Sequence, residues 1–211
     1  MSIPERKYIY RIIHVDNLDY ILSSGKLTSP VHREANPNYV GIGDNSLKDS
    51  RRSKQIEIKP HGTFSEYVAF YFGYRSPMLY NIKNGYLDVT KRPQEELIYI
   101  VSSVDRVIEL DLDFVFYDGH GYHNFSQAFN DIKFLDRIDW QIINAGQWYD
   151  TEDDPDRKRR KQAEFLIKDE LALDAILGIA AYNIEASENV NNILRDHFID
   201  IKTVAMPSWY Y

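Results

Sequence analysis

The hydrophobic pattern of the chain consists of short apolar runs separated by polar, turn-forming segments. Seven of these runs have the aromatic and β-branched composition of strands: residues 8–13, 68–72, 97–101, 114–116, 165–167, 176–182 and 201–205. Residues 68–72 are apolar throughout, which is typical of a central strand that is covered on both faces. The pattern therefore predicts a protein with many short strands.

Short helices are predicted between several of these strands. Asp16 is expected to cap a helix that carries Leu18, Ile21 and Leu22 on one face and ends at Gly25. Further short helices are expected at residues 47–52, 78–82, 103–110 and 187–198. Short strands that alternate with short helices indicate an α+β fold rather than a doubly wound sheet. Because no repeat or linker interrupts the chain, residues 1–211 are expected to form one domain.

The composition narrows the class of protein. A hydrophobic fraction of 44% and a charged fraction of 27% are ordinary for a soluble globular protein. The chain has no run long enough to span a membrane, and residues 1–7 lack the apolar core of a secretory signal. The absence of cysteine excludes disulfides, zinc fingers and thiolate chemistry. We therefore expect a cytoplasmic protein without a membrane partner.

The charge and the aromatic content set limits on a nucleic-acid partner. A net charge of -7 argues against non-specific coating of duplex DNA, which depends on neutralising phosphates. Local basic patches remain at residues 51–54 and 157–161. The chain has 16 Tyr, 10 Phe and 3 Trp, and most of these rings are expected in the core.

One acidic residue directly follows the second basic patch. Glu164 precedes the apolar run 165–167, so it is expected at the edge of a strand beside positive charge that keeps it ionised. The competing interpretation is a solvated charge run followed by a strand-edge glutamate. A long acidic loop at residues 146–155, which carries Trp148 and Tyr149, precedes this region and is typical of a functional or mobile segment.

Three histidines invite chemical interpretations. His120 and His123 have a spacing that suits zinc on a helix, but glycines flank His120 and no third ligand is evident, so no metal is expected. His14 falls at the junction between a strand and a helix, where ligands often meet the backbone. A hydrogen-bonded structural role is the simpler interpretation of His14.

Several motifs occur along the chain in a distinctive order: R-I-I-H-V-D-N-L from Arg11, I-G-D-N-S-L-K-D-S-R from Ile42, Y-V-A-F-Y-F from Tyr67, S-P-M-L from Ser76, F-V-F-Y-D-G-H from Phe114, D-R-I-D-W from Asp136 and Q-A-E from Gln162. This order closely resembles the DarT family, bacterial toxins that ADP-ribosylate DNA bases. The resemblance extends from about Tyr8 to Trp209, and the block from Tyr67 to Leu79 is its most specific part.

The resemblance implies roles for individual residues. Glu164 corresponds to the catalytic glutamate, and Arg51 corresponds to the essential arginine, with Arg52 as the alternative one position away. The residues implied to bind NAD are His14, Asn17, Arg51, Tyr71, Met78 and His120. The loop at residues 146–162 corresponds to the substrate-recognition loop. Its rings and cations are expected to stack bases and bind phosphates: Trp148, Tyr149, Arg157, Lys158, Arg159 and Arg160.

The resemblance also implies the fold and the function. The fold would be that of ADP-ribosyltransferases, with two facing, mainly antiparallel sheets, a cleft for NAD and short peripheral helices. The function would be NAD-dependent transfer of ADP-ribose to a base in single-stranded DNA, with thymine N3 as the acceptor atom. The implied partner is a separate macrodomain antitoxin of the DarG type. The alternatives are an acceptor in guanine, RNA or protein, and a non-catalytic module that binds single-stranded nucleic acid.

Overall fold

The computed structural model describes residues 3–44 and 50–211, and ten strands lie within these ranges. The strands are β1 Tyr8–His14, β2 Lys26–Thr28, β3 Tyr67–Tyr71, β4 Leu97–Ser103, β5 Phe114–Tyr117, β6 Ala128–Phe129, β7 Glu164–Lys168, β8 Glu170–Ala172, β9 Gly178–Ala181 and β10 Thr203–Ala205. All seven predicted strands are present. The short strands β2, β6 and β8 were not predicted, because two or three residues carry too little periodicity to be recognised.

The strands form one large sheet and one small sheet. Eight strands follow the order β10-β9-β4-β1-β3-β7-β5-β6, and β2 pairs with β8 in the second sheet. Every pairing is antiparallel except that between β9 and β10. With short helices at the periphery, this architecture confirms the predicted α+β class.

The large sheet consists of two halves that join at β1 and β3. β1 pairs with β4 along its whole length, and β3 pairs with β7 in the same way. Between β1 and β3, by contrast, the described register contains the single pair Tyr10 and Tyr71. The guanidinium of Arg11 spans the two strands by donating to the carbonyl of Ala69 at 2.8 Å. The sheet therefore has a natural division next to Tyr71.

Aromatic side chains fill the core beneath β5 and β7, as the composition predicted. Phe165 stacks on Phe114 and Phe116, with ring centroids 5.0 and 6.3 Å away. Phe72 meets the edges of Phe165 and Trp140 at 5.8 and 5.4 Å. Burial of each such ring contributes roughly 1.5–3 kcal/mol. Because Phe165, Leu166 and Ile167 are fully buried, β7 is covered on both faces and is a rigid support for its first residue, Glu164.

The helices of the described residues are short and mostly capped by side chains. The α-helices are Leu18–Ser24, Pro77–Asn84, Val104–Glu109, Trp140–Asn144, Arg157–Lys161 and Ile184–Asp196. Single 3-10 turns or short runs occur at Val15–Asn17, Phe64–Glu66, Gln94–Glu96, Ile132–Arg137, Leu173–Ala175 and Pro207–Trp209. Residues 50–52 are also helical, whereas the rest of the helix predicted at 47–52 lies outside the described residues. None of the described helices has the length and apolar character needed to cross a membrane.

Two helix starts differ from the sequence predictions. Asp16 does not cap the first helix: the backbone N–H of Asp16 instead donates to the imidazole of His14, and a 3-10 turn comes first. The predicted end of that helix at Gly25 is confirmed, with a left-handed φ of 74°. The last helix begins at Ile184, earlier than predicted, because the Asn183 side chain accepts the Ala186 N–H and caps it there.

Candidate active site

Glu164 occupies the first position of β7, between two neighbouring strands. It is paired in register with Tyr71 of β3 and with Tyr117 of β5. The residue is 1% exposed, so the interpretation of a solvated strand-edge glutamate is wrong. A carboxylate buried this deeply requires a charged partner or several hydrogen bonds to remain ionised.

Arg51 supplies that partner. Its Nη1 and Nη2 donate to Oε1 and Oε2 of Glu164, each at 2.7 Å, in the bidentate geometry that matches a guanidinium to a carboxylate. A face of the Arg51 guanidinium lies over the Phe64 ring, with Cζ 4.9 Å from the ring centroid. Of the two adjacent arginines, Arg51 is therefore the one that contacts Glu164. The cations at residues 157–161, which the sequence suggested for this role, do not pair with Glu164: within the described residues its ion-pair partners are Arg51 and His120.

The electrostatics of the pair favour two charges. Burial acts to raise the pKa of Glu164, but Arg51, His120 and the Gly121 N–H outweigh it, so this pKa lies below its usual value. Burial acts to lower the pKa of Arg51, and the Glu164 carboxylate outweighs that effect too. Glu164 is thus a carboxylate throughout the neutral range.

His120 completes the group around the carboxylate. Its Nε2 lies 3.8 Å from Glu164 Oε1 and 3.5 Å from Arg51 Nη1. Burial is the main cause that lowers the pKa of His120, so the imidazole is neutral at neutral pH. Donation from Arg51 requires Nε2 to be the unprotonated nitrogen.

Gly121 and Lys54 shape the other side of the site. A Cβ at Gly121 would lie 2.8 Å from Glu164 Oε2 and 2.8 Å from the Phe64 ring, so only glycine allows this approach. The Lys54 ammonium donates to the carbonyls of Gly121 and Tyr122 at 2.8 and 2.9 Å. Burial followed by the charge of Arg51 lowers the pKa of Lys54.

His14 and Asn17 lie at the end of β1 and make structural contacts. The Nε2 of His14 is 3.2 Å from a carboxylate oxygen of Glu96, and its other ring nitrogen accepts the Asp16 N–H. The Asn17 amide exchanges two hydrogen bonds with the backbone of Val40, at 2.8 and 3.0 Å. Both residues have the hydrogen-bonded role that is common for buried polar groups, and their contact with NAD stays a prediction.

Tyr71 and Met78 lie in neighbouring parts of the same block of sequence. Tyr71 ends β3 at the division of the sheet, and burial together with the Glu164 charge raises its pKa, so the phenol stays neutral. Met78 belongs to the helix Pro77–Asn84 and is partly buried against the group of core residues that includes Tyr10 and Tyr99. Their part in binding NAD also stays a prediction.

The basic run forms the short helix Arg157–Lys161, and most of its charge is paired internally. Arg159 binds Asp156 and Asp118, while Arg160 binds Asp139 and Asp154. Arg157 lies 3.3 Å from Asp154, and its Nη1 donates to the Gln147 carbonyl. The buried Lys161 ammonium donates to the carbonyls of Ile143 and Ala145.

Lys158 is the exception in this run. Its side chain is exposed and, among the described residues, has no carboxylate at ion-pair distance. The ammonium lies 6.0 Å from the centre of the Trp148 ring. The other cations of the run have partners within the protein, whereas the contact of the run with a nucleic acid stays a prediction.

The predicted aromatic loop residues lie beside this lysine. Trp148 is half-buried and packs on Tyr80 with ring centroids 5.2 Å apart. Tyr149 is 56% exposed and meets the edge of Trp148 at 6.2 Å. Tyr86 is 51% exposed and also packs on Tyr80, with ring centroids 5.8 Å apart. The sequence did not reveal that Tyr80 and Tyr86 belong to the same aromatic group as Trp148, because they precede Trp148 by more than 60 positions.

Comparison with known proteins places this site in a family. Residues 10–211 match the family model described as "ssDNA thymidine ADP-ribosyltransferase, DarT". A DNA ADP-ribosyl transferase of Escherichia coli O127:H6 is 33% identical over 99% of this chain and 95% of its own length. The corresponding protein of Thermus sp. strain 2.9 is 35% identical over 99% of this chain and 98% of its own length.

Solved structures agree with this placement. The structure of Thermus sp. 2.9 DarT with ADP-ribosylated single-stranded DNA has a TM-score of 0.93 at 33% identity and covers 100% of this chain and 99% of its own. The complex of the same protein with NAD+ has a TM-score of 0.87 at 33% identity and covers both chains fully.

The fold, the buried carboxylate–guanidinium pair and these relatives together define an ADP-ribosyltransferase that uses NAD as co-substrate, as the sequence predicted. More specifically, the chain belongs to the DarT family of DNA ADP-ribosyltransferases.

Proposed function

We propose that this protein transfers ADP-ribose from NAD to N3 of a thymine in single-stranded DNA and releases nicotinamide. The observation that carries the proposal is the bidentate pair of Arg51 and Glu164, buried beside a neutral His120 where the two halves of the sheet meet. The family description and the Thermus complex with ADP-ribosylated single-stranded DNA support the acceptor class.

Glu164 is proposed to stabilise the transition state. As the bond between C1' of ribose and nicotinamide breaks, its electron pair leaves with nicotinamide and positive charge builds on the ribose. A fixed carboxylate aimed at this charge is a large catalytic contribution. Each carboxylate oxygen has two lone pairs, so Glu164 can still accept a hydrogen bond from the 2'-hydroxyl of ribose while it is bound to Arg51.

Arg51 is proposed to stabilise the acceptor base. The alternative role, binding the NAD pyrophosphate, fits less well because both terminal nitrogens of Arg51 face Glu164 and hence the reacting carbon. A guanidinium does not give up its proton in proteins, so Arg51 is not the base. Its remaining donors are suited to the negative charge that develops on thymine as the N3 proton is lost.

His120 is proposed to handle that proton. The imidazole is neutral because burial lowers its pKa, and its Nε2 lies near both members of the ion pair. A neutral imidazole at this place is able to accept or relay the proton of thymine N3 during attack. An alternative in which Glu164 itself takes the proton is disfavoured by its lowered pKa.

The DNA strand is proposed to contact the surface formed by Trp148, Tyr149 and Lys158. Aromatic faces stack on bases of any sequence, and an ammonium beside them binds the backbone phosphate. A single strand is the expected substrate because a base within a duplex must first be extruded, at a cost of a few kcal/mol. Arg157 and Arg160 are proposed to support this surface by holding the loop in place.

The decisive experiment uses matched oligonucleotides. The protein is incubated with NAD and single strands that contain one thymine, one N3-methylthymine, or guanine without thymine, and the products are analysed by mass spectrometry. We expect one added ADP-ribose unit on the thymine strand only, with release of nicotinamide. The isosteric variant Glu164→Gln should fold but give no product.

Each other outcome points to a named alternative. Modification of the N3-methylthymine strand would exclude N3 as the acceptor atom, and modification of the guanine strand, an RNA or an added protein would change the acceptor class. Binding of the strands without turnover of NAD would identify a non-catalytic module. Activity of Glu164→Gln equal to that of the wild type would remove Glu164 from the mechanism.

The proposed DNA surface has its own test. Lys158→Gln should weaken binding of a single strand and reduce the slope of log affinity against log salt by about 0.7, the value for one phosphate contact. Arg33→Gln, which removes an 88% exposed cation at another surface, is the matched control and should keep the slope. An unchanged slope in Lys158→Gln would show that Lys158 is not a phosphate contact.

A toxin role is proposed on the same basis. Modified thymine in single-stranded DNA cannot pair, so the activity would block replication. We expect controlled expression in bacteria to arrest growth only when Glu164 is intact, and a separate macrodomain antitoxin of the DarG type to relieve the arrest. Arrest by Glu164→Gln at equal protein level would contradict this role.

A further inference from the structure

Arg159 is a partly buried residue that lies beside the loop that carries His120. Its side chain is 11% exposed, and it lies on the helix Arg157–Lys161 just before β7. We define residues 118–126 as the His120 loop. Arg159 contacts this loop through its side chain, its backbone and its van der Waals surface.

The side-chain contacts of Arg159 leave little capacity for a ligand. Nε and Nη2 donate to the two oxygens of Asp156, each at 2.7 Å. Nη1 donates to Asp118 at 3.0 Å and to the hydroxyl of Ser126 at 3.2 Å. A guanidinium has five N–H donors, so these four bonds leave one N–H of Nη2.

The backbone of Arg159 holds His120 directly. The His120 N–H donates to the Arg159 carbonyl at 2.9 Å, and the Ser126 hydroxyl donates to the His120 carbonyl at 2.8 Å. The peptide groups on both sides of the His120 Cα are therefore held by Arg159 or by a residue that Arg159 binds.

Close packing adds a third constraint. A Cβ placed on Gly119 would lie 2.4 Å from Nη1, 2.9 Å from Cγ and 2.9 Å from the carbonyl oxygen of Arg159. The Gly119 backbone thus packs directly against Arg159, and a residue with a Cβ does not fit at position 119. Two positions later, a Cβ placed on Gly121 would lie 2.8 Å from Oε2 of Glu164, so the backbone of the same loop also lies close to the carboxylate.

We propose that Arg159 is a positioning residue for the transfer reaction and acts through the His120 loop, which it holds so that His120 and Gly121 face Glu164. This inference rests on the proposed function. It replaces the expectation that Arg159 binds DNA phosphates, because a residue with four internal hydrogen bonds contributes to geometry more than to a phosphate contact. Lys54 also holds this loop, by donating to the Gly121 and Tyr122 carbonyls.

The test compares Arg159→Lys with Lys158→Gln. Arg159→Lys keeps the charge, but a single ammonium cannot reproduce four directed bonds. We expect kcat to fall about 100-fold, as for a misplaced catalytic group, while KM for the oligonucleotide and the salt slope stay near wild type. Lys158→Gln should show the opposite pattern, with a higher KM and a smaller slope.

A second readout does not depend on activity. The imidazole of His120 is titrated by NMR in the free protein, where Glu164, Arg51, His123 and Lys54 are the charged or titratable groups that act on it. Because burial is the main cause that lowers the pKa of His120, a loosened loop should shift its titration upward in Arg159→Lys. This result is expected even if the acceptor proves to be other than thymine.

Ser126→Ala keeps the test decisive if Arg159→Lys does not fold. This variant removes the hydroxyl between Arg159 and the His120 carbonyl but leaves the pairs with Asp118 and Asp156. We expect a smaller loss of kcat, about 10-fold, with the same upward shift of His120. An unchanged His120 titration in the folded variants, or a reduced salt slope with normal kcat in Arg159→Lys, would overturn the proposal.

Discussion

Removal of Arg51 should destabilise the protein in a way that depends on the protonation of Glu164. In Arg51→Met, a carboxylate that is 2% exposed at its side chain loses both bidentate hydrogen bonds. Breaking a buried pair by removing one partner costs about 3–5 kcal/mol. The Arg51 side chain is 17% exposed, so water can replace part of its hydrogen bonding to Glu164, and we expect the free energy of unfolding to fall by about 3 kcal/mol. For a chain of this length, that corresponds to a fall in Tm of about 6–12 °C.

The pH dependence gives the sign of the effect. In the wild type, the pKa of Glu164 lies below its value in the unfolded chain, so the contribution of the pair is present at neutral pH and is lost as the pH falls through the folded-state pKa. In Arg51→Met, burial is left as the largest influence and raises the pKa of Glu164 above its unfolded value. The variant should therefore recover stability as the pH falls from neutral toward about 5, because Glu164 takes up a proton in the folded state.

The assay is urea unfolding followed by circular dichroism, without NAD, since a ligand would add its own stabilisation. The set comprises Arg51→Met, Glu164→Gln and the double variant. The double variant should be more stable than Arg51→Met by about 1–3 kcal/mol, because it contains no unpaired buried charge. The reasoning is refuted if Arg51→Met matches the wild type at neutral pH, or if the second substitution restores nothing.

Three further predictions concern single positions. Gly121→Ala should lower the kcat of transfer about 100-fold, because the added Cβ displaces the Glu164 carboxylate or the Phe64 ring. Circular dichroism should show an unchanged fold, and a kcat within a few-fold of wild type would show that the loop adapts to the added methyl group. Burial lowers the pKa of Lys161 to about 8, so the free energy of unfolding measured with urea should rise between pH 8 and the ordinary lysine pKa of 10.5. Lys161→Met should lack that rise, and an equal dependence of stability on pH in both proteins would contradict the lowered pKa of Lys161. Gly25→Ala should lower the free energy of unfolding by about 1 kcal/mol in the same assay, from backbone strain alone at φ 74°, and Gly25→Asn should lower it less. An unchanged stability of Gly25→Ala would mean that the end of the helix relaxes.

Local sequence features were enough to predict most of the strands and the position of Glu164. Aromatic and β-branched runs mark β1, β3, β4, β5 and β7, because a buried strand needs apolar residues on both faces. Glu164 directly before such a run had to lie at the start of a strand. The order of motifs along the chain identified the family, and the family model that matches residues 10–211 confirms it.

The tertiary structure decided which charges meet. Glu164 is preceded by five residues of a basic helix, yet its partner is Arg51, 113 positions earlier. The helix turns Arg159 and Arg160 toward Asp118 and Asp139 instead, on parts of the chain that the sequence does not connect with them. Ion pairs form between side chains that the topology brings within about 4 Å, and proximity along the sequence does not determine that distance. The sequence by itself thus determined the strands and helices and the residue types of the site. Only the packing of β3, β5 and β7 determined that Arg51 and His120 face Glu164, and that Arg159 contacts the His120 loop.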